Sequence, residues 1–157
     1  MRFAVVFVLG IWGLIGVSVA WAQQAKRPPA RYGIEADLDN YPQAEPKAAL
    51  ASVLKAIDQK KIDYLLAQLS DPQWVDERVQ KVHGGRFEEL VKETAAKLAS
   101  DPTEVEELRR FLREGTWTEN DSDAQVSLKE VPDRQVFLRK IGSRWYLENQ
   151  KKQEKGR

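Results

Sequence analysis

The sequence predicts an α+β domain in which amphipathic helices come first and a curved antiparallel β-meander closes the chain. Three observations carry this. Between residues 46 and 115 apolar side chains recur at helical spacing, whereas from 124 to 148 they alternate with polar ones as in half-buried strands. Gly142-Ser143 separates two of the alternating runs and is a two-residue hairpin turn of the II′ kind, where glycine enters the first central position without strain. The helical part is punctuated by Asp-Pro and Gly-Gly pairs rather than by long loops.

At the N-terminus Arg2 precedes an uncharged apolar run over residues 3–20, and Ala20-Trp21-Ala22 puts small residues where a signal peptidase reads them. Residues 1–22 are expected to be a secretory signal peptide cleaved after Ala22. That implies a secreted or periplasmic protein that meets the membrane only in transit. The alternative is an uncleaved leader, because the run approaches the roughly 17 residues that a spanning helix needs. The chain has no cysteine, which removes a lipid anchor, disulfides, thiol catalysis and thiolate metal sites together.

Beyond the leader lies one domain's worth of chain, able to bury roughly 65–70% of its unfolded surface without covalent staples. Arg2 is the one charge in the leader, so the 25 basic and 24 acidic residues of the whole chain leave a neutral mature chain. Balanced charge argues against nucleic acid as a partner, since phosphate binding needs a clustered basic face. The basic tail, residues 150–157, reads as a solvated terminus.

Residues 23–45 carry Pro28-Pro29, Gly33 and Pro42 without a sustained apolar period and read as an extended linker. Tyr32, Ile34, Leu38 and Tyr41 are available there for local packing. The α+β domain is placed at 46–149. Its first helix is expected near Pro46, tolerated at the first helical position because the missing N–H is unpaired there anyway. Leu50, Val53, Leu54 and Ile57 follow at the spacing of a buried stripe, and Lys60-Lys61 suits the negative pole of the helix dipole.

A second helical stretch carries Ile62, Leu65, Leu66 and Leu69 and stops at Asp71-Pro72. Trp74, Val75, Val79 and Val82 mark a third helix, ended by Gly84-Gly85, and Phe87, Leu90, Val91 and Leu98 a fourth. Asp101-Pro102-Thr103-Glu104 reads as a helix start, with Asp101 as N-cap and Glu104 reaching back. Val105, Leu108, Phe111 and Leu112 form the stripe of a fifth helix, which Gly115 is placed to terminate.

Thr116-Trp117-Thr118 is the first strand, and residues 119–123 are turn-like. Ala124, Val126 and Leu128 face one way in the second; Pro132-Asp133 then breaks the run before residues 135–141 resume it. The two-residue turn places Ile141 opposite Arg144, Lys140 opposite Trp145, Arg139 opposite Tyr146 and Leu138 opposite Leu147. Val136, Leu138, Trp145 and Leu147 then form the core face, with the Lys140 stem along Trp145. Phe137, Arg139, Ile141, Arg144, Tyr146 and Glu148 form the other, where Arg139 is expected over the Tyr146 ring.

The opening helix Ala48-Ala49-Leu50-Ala51-Ser52-Val53-Leu54-Lys55-Ala56-Ile57 is followed by Asp63-Tyr64-Leu65-Leu66. With the closing strands Val136-Phe137-Leu138-Arg139-Lys140-Ile141 and Gly142-Ser143-Arg144-Trp145-Tyr146-Leu147, this order resembles the nuclear transport factor 2-like superfamily and its SnoaL-like and ketosteroid-isomerase-like members. The resemblance covers residues 46–149 and implies a cone, with helices packed into a curved sheet around a pocket at the wide end. The third to fifth helices are more helix than the simplest members carry.

Chemistry-bearing motifs are few. His83 is the one histidine, so no His-based metal cluster is available, and beside Gly84-Gly85 it suits the end of a helix. Asp71, Asp76 and Glu77 around Trp74, and Asp63 beside Tyr64, are the residue types a proton-shuttling isomerase would use. Asp71 before a proline is more simply a helix cap, and Asp76-Glu77 a first-turn acidic pair favoured by the dipole. Asn120-Asp121-Ser122-Asp123 lacks the glycine and distal glutamate of a calcium loop and reads as a polar turn. No phosphate-binding loop, dinucleotide fingerprint, nucleophile elbow or H-E-x-x-H motif occurs. No catalytic residue, metal or cofactor is assigned.

The expectation is an exported, non-catalytic domain that binds a small apolar ligand or a protein partner in the cell envelope or outside. Tyr64, Trp74 and Trp117 are its candidate ligand-binding residues. Two alternatives stand beside it: an isomerase- or hydrolase-like enzyme using Asp63, Tyr64, Asp76 or His83, and a membrane-tethered accessory domain that keeps its leader.

Overall fold

Helices α1 (Pro46–Asp58), α2 (Ile62–Tyr64), α3 (Pro72–Lys81), α4 (Phe87–Ser100) and α5 (Pro102–Glu114) precede a sheet of four antiparallel strands in the order β1-β2-β3-β4. The strands are β1 (Thr116–Glu119), β2 (Asp123–Leu128), β3 (Val131–Ile141) and β4 (Arg144–Glu148). This computed structural model describes residues 28–149. The expected signal peptide, its cleavage after Ala22 and the tail 150–157 lie outside the described residues. The α+β class and the helix-then-sheet order are those the sequence predicts. Among the described residues no helix is long and apolar enough to cross a membrane.

The helix ends follow local chemistry. Asp71 caps α3, its Oδ1 accepting from the backbone N–H of Gln73 at 2.8 Å and of Trp74 at 3.4 Å. Asp101 caps α5 through Glu104 N–H at 3.1 Å, while the Glu104 carboxylate lies 4.0 Å from Lys97 Nζ. At the end of α1 Lys60 takes a left-handed φ of 57°, with Lys61 N–H on Ala56 O and Lys60 N–H on Ile57 O. That is a Schellman closure with lysine in the place glycine normally fills. After Tyr64 the chain widens into a π-helical turn, Leu65–Leu69, sealed by Ser70 N–H on Leu65 O at 2.9 Å, and all five of its side chains are buried.

The β3–β4 hairpin has the register set by its two-residue turn: Ile141 opposite Arg144, Lys140 opposite Trp145, Arg139 opposite Tyr146 and Leu138 opposite Leu147. Gly142 has φ 62° at the first central position, as a II′ turn requires. Strand β3 runs through Pro132-Asp133, where the sequence suggests a break. Ser127 pairs with Gln135 and Leu128 with Val131, so residues 132–134 form an exposed bulge that absorbs the proline.

Two apolar clusters stabilise the domain, each fully buried Val, Leu or Phe contributing about 1.5–3 kcal/mol. One lies among α1, the π-turn, α3 and α4 and includes Val53, Leu66, Leu69, Val75, Val79 and Leu90. The other joins Leu50 and Phe111 to the expected core face of the sheet, with Val126, Leu138 and Trp145 at its centre. Leu147, half-buried, packs against both.

The lead-in is not a linker over its described part, which corrects the reading of 23–45. Tyr41 is 1% and Gln43 2% exposed. Tyr41 packs on the Tyr64 ring at 4.3 Å, and Gln43 O accepts from Trp145 N–H at 2.9 Å. Tyr41 is among the residues the sequence offers for local packing, whereas the Gln43 amide anchor sits in an irregular segment with no period to announce it. Further upstream, Arg31 pairs with Asp76 at 2.5 Å, Tyr32 donates to the same carboxylate at 2.6 Å, and its ring stacks on Phe87 at 4.0 Å.

Burial, then the hydrogen bond to Asp76 and that residue's negative charge, push the Tyr32 hydroxyl from 10.0 up to about 12. The folded value lies above the unfolded one, so this stabilisation is complete below pH 10 and is lost as pH rises through about 12. The urea midpoint is expected to fall more steeply over that interval in the wild type than in Tyr32→Phe. Parallel curves for the two proteins would show that the strap does not depend on the phenol's proton.

Candidate functional site

Between the two apolar clusters lies a half-open cleft of about 400 Å³, within the size range of small-molecule sites. Its floor comes from α1 (Val53, Ile57), the π-turn (Leu65, Leu66), α5 (Leu108, Phe111) and β4 (Leu147). Trp74 of α3, Leu98 of α4 and Val136 and Phe137 of β3 add to the walls. The cleft exists because α4 and α5 cover the sheet incompletely. Of the α5 stripe Phe111 alone is fully buried, while Val105, Leu108 and Leu112 stay partly exposed.

Charge rings this apolar floor in pairs. Arg78 holds Glu93 at 2.5 Å, Arg134 holds Glu107, and Lys97 stands 4.0 Å from Glu104. The Arg78 hydrogen bond keeps the Glu93 carboxyl below the usual range. Arg134 stands on the exposed β3 bulge and lines the rim. Deeper in, Glu148 lines the cleft with a side chain 6% exposed, its Oε1 accepting from Arg139 Nη2 at 2.8 Å.

Of the three residues expected to bind a ligand, Trp74 lines the cleft. Tyr64 is buried away from it, its hydroxyl accepting from Asp37 N–H at 2.9 Å and its pKa raised by that burial. Trp117 packs against the sheet cluster. The residues of the enzyme alternative are not brought together. Asp63 is exposed, its Oδ1 accepting from Tyr64 N–H at 2.8 Å, and Asp76 belongs to the Arg31–Tyr32 strap. His83 Nε2 lies 2.9 Å from Glu93 Oε2 without an aligned hydrogen bond. None of the four lines the cleft. Asp76 and Glu77 sit in the second turn of α3, Glu77 bridged to Lys81 at 2.8 Å, so dipole stabilisation in a first turn does not apply to them.

Leu147, a core residue by its alternation, lies in the cleft floor, and the lining residues that sequence reasoning misses are Glu148 and Arg134. The second face of the β3–β4 hairpin reads as a mixture of apolar and charged side chains, and the π-turn covers the edge of β4. Ser70 pairs with Leu147 in parallel, and Asp71 N–H donates to Leu147 O at 2.8 Å. Arg139 therefore turns to Asp71 and Glu148, and it is Arg144 that stands over the Tyr146 ring, at 4.9 Å. Lys140 does lie over Trp145, at 5.5 Å. Residues 120–123 form a polar turn, Asn120 Oδ1 accepting from Ser122 and Asp123 N–H. No group of three or more potential metal ligands occurs among the described residues. Comparison with protein-family models, curated proteins and solved structures found no match.

Proposed function

We propose that this chain is an exported, non-catalytic domain that binds a small apolar ligand in the cleft between α3–α5 and the sheet. The observation that carries the reading is the pairing of an apolar floor, drawn from both clusters, with a rim whose charges are largely matched to one another. Such a site rewards burial of apolar surface, and neither His83 nor a tyrosine lines it. Export to the periplasm or outside rests on the leader, with its A-x-A sequence before Gln23. Helices first and antiparallel meander last support kinship with the nuclear transport factor 2-like superfamily, whose members enclose a pocket between the same layers.

The test is a thermal-shift panel on the purified chain with uncharged lipids, steroids and small aromatics, repeated on Leu98→Trp. A ligand that binds only the folded state raises its stability, by about 2.7 kcal/mol at a hundredfold excess over Kd. Shifts in the wild type that vanish when the tryptophan fills the cleft are the expected result. A flat response throughout overturns the reading and favours a protein partner. N-terminal sequencing of exported protein is expected to start at Gln23; retention of Met1 would replace secretion with tethering.

A further inference from the structure

Resting on the cleft as a ligand site, we infer that its ligand carries a positively charged amino group, received by Glu148 beneath an apolar body. Glu148 is unusual in this chain. Its side chain is 6% exposed, and while Oε1 is held by Arg139, Oε2 is shut off from solvent without a hydrogen-bond partner. The next residue repeats the pattern, since Asn149 Oδ1 is also buried and unpartnered, and both residues line the cleft. A buried acceptor left unsatisfied costs about 1–3 kcal/mol, and more when it carries charge. Two adjacent ones, on residues that line the cleft, are the acceptors that a donor-bearing ligand would satisfy.

Charge chooses among donors. Arg139 is shared between Glu148 and Asp71, whose side chain is 5% exposed and 3.4 Å away. Asp71 Oδ1 is already engaged by the N-terminus of α3. One guanidinium thus serves two buried carboxylates, which leaves an excess negative charge beneath the cleft. The rim does not supply the missing cation: Arg78 and Arg134 are engaged by Glu93 and Glu107, and Lys97, 70% exposed, stands beside Glu104. An ammonium would gain a charge-assisted hydrogen bond to Oε2, about twice as strong as a neutral one, whereas a carboxylate would meet like charge.

The probes are cyclohexylmethylamine, cyclohexylmethanol and cyclohexanecarboxylate, which share one ring and differ in the head group, titrated calorimetrically into the purified chain at pH 7. The amine is expected to bind about tenfold tighter than the alcohol, with no detectable binding of the carboxylate. Glu148→Gln is expected to bring amine and alcohol to equal affinity. Should that variant fail to fold, the head-group series on the wild type still decides. An alcohol that equals the amine, or a carboxylate that binds as well, overturns the inference and leaves the cleft as an apolar site. Failure of all three while the thermal-shift panel responds overturns the inference alone, whereas a flat panel overturns the cleft reading itself.

Discussion

Replacing Arg144 by methionine is expected to destabilise the protein by about 3 kcal/mol, lowering Tm by roughly 10 °C for a domain of this size. Arg144 is 8% exposed, and neutral oxygens surround its guanidinium. Gln43 Oε1 accepts from Nε at 3.0 Å and from Nη2 at 2.5 Å. Gln68 offers its backbone carbonyl at 2.9 Å and its side-chain oxygen at 3.1 Å to Nη2. The same two glutamines fasten the lead-in, because Gln43 Nε2 donates to Gln68 O and Trp145 O, and Gln68 Nε2 to Ile34 O. One side chain therefore ties residues 34–43, the π-turn and β4 together.

Two effects oppose each other in that substitution. Methionine relieves the desolvation of a buried guanidinium, which the Tyr146 face and the amide oxygens offset only in part. It also orphans Gln43 Oε1 and Gln68 Oε1 in a site that water does not reach freely, at about 1–3 kcal/mol each. The orphaned acceptors outweigh the relief because there are two of them and the fork's geometry already matches both. Arg144→Lys, with a point charge in place of the fork, is expected to recover about half of the loss. Burial pushes the Arg144 pKa down, yet arginine starts so high that it stays charged at any pH suited to folding. The loss measured by urea denaturation is therefore expected to be the same at pH 6 and pH 9. A loss under about 1 kcal/mol would mean that desolvation already cancels the hydrogen bonds.

The same cluster shows why part of the fold is legible in the sequence and part is not. Strand register is readable because a two-residue turn fixes every pair beyond it, and alternation then decides that Leu138 and Trp145 point inward. Helix boundaries are readable where a single residue performs the capping, as at Asp71 and Asp101. Nothing in the local pattern of β4 says that its second face is covered, since the cover comes from Gln43 and Gln68, 101 and 76 residues distant from Arg144. A π-turn has no period of its own to read, and the four apolar side chains of Leu65–Leu69 fit an α-helical stripe equally well. The candidate cleft is hidden for the same reason. Trp74 stands out because it is aromatic, but Glu148 becomes notable only when one finds it buried with half its carboxylate unpaired.

Gly115→Ala is expected to cost about 3 kcal/mol, for a reason different from the one its position suggests. A glycine after a helix normally supplies a left-handed φ, yet Gly115 has φ −69° and ψ 148°, a conformation open to any residue. Its role is space. A Cβ there would stand 2.2 Å from Val126 Cγ2 and 2.4 Å from Phe111 O. Val126 is fully buried in the sheet cluster, and Phe111 O accepts the Gly115 N–H at 3.1 Å, so neither neighbour yields cheaply. The chain reverses from α5 into β1 at this point, and β1 is then paired through Trp117 and Val126. Adding a methyl group must push β1 away from α5 or break the helix's last turn. Trimming the neighbour separates the two clashes: Val126→Ala alone leaves a cavity, while Gly115→Ala with Val126→Ala is expected to lose at least about 1 kcal/mol less than the sum of the singles. Strict additivity in urea titrations of the four proteins would mean that the Phe111 carbonyl alone excludes a side chain at residue 115.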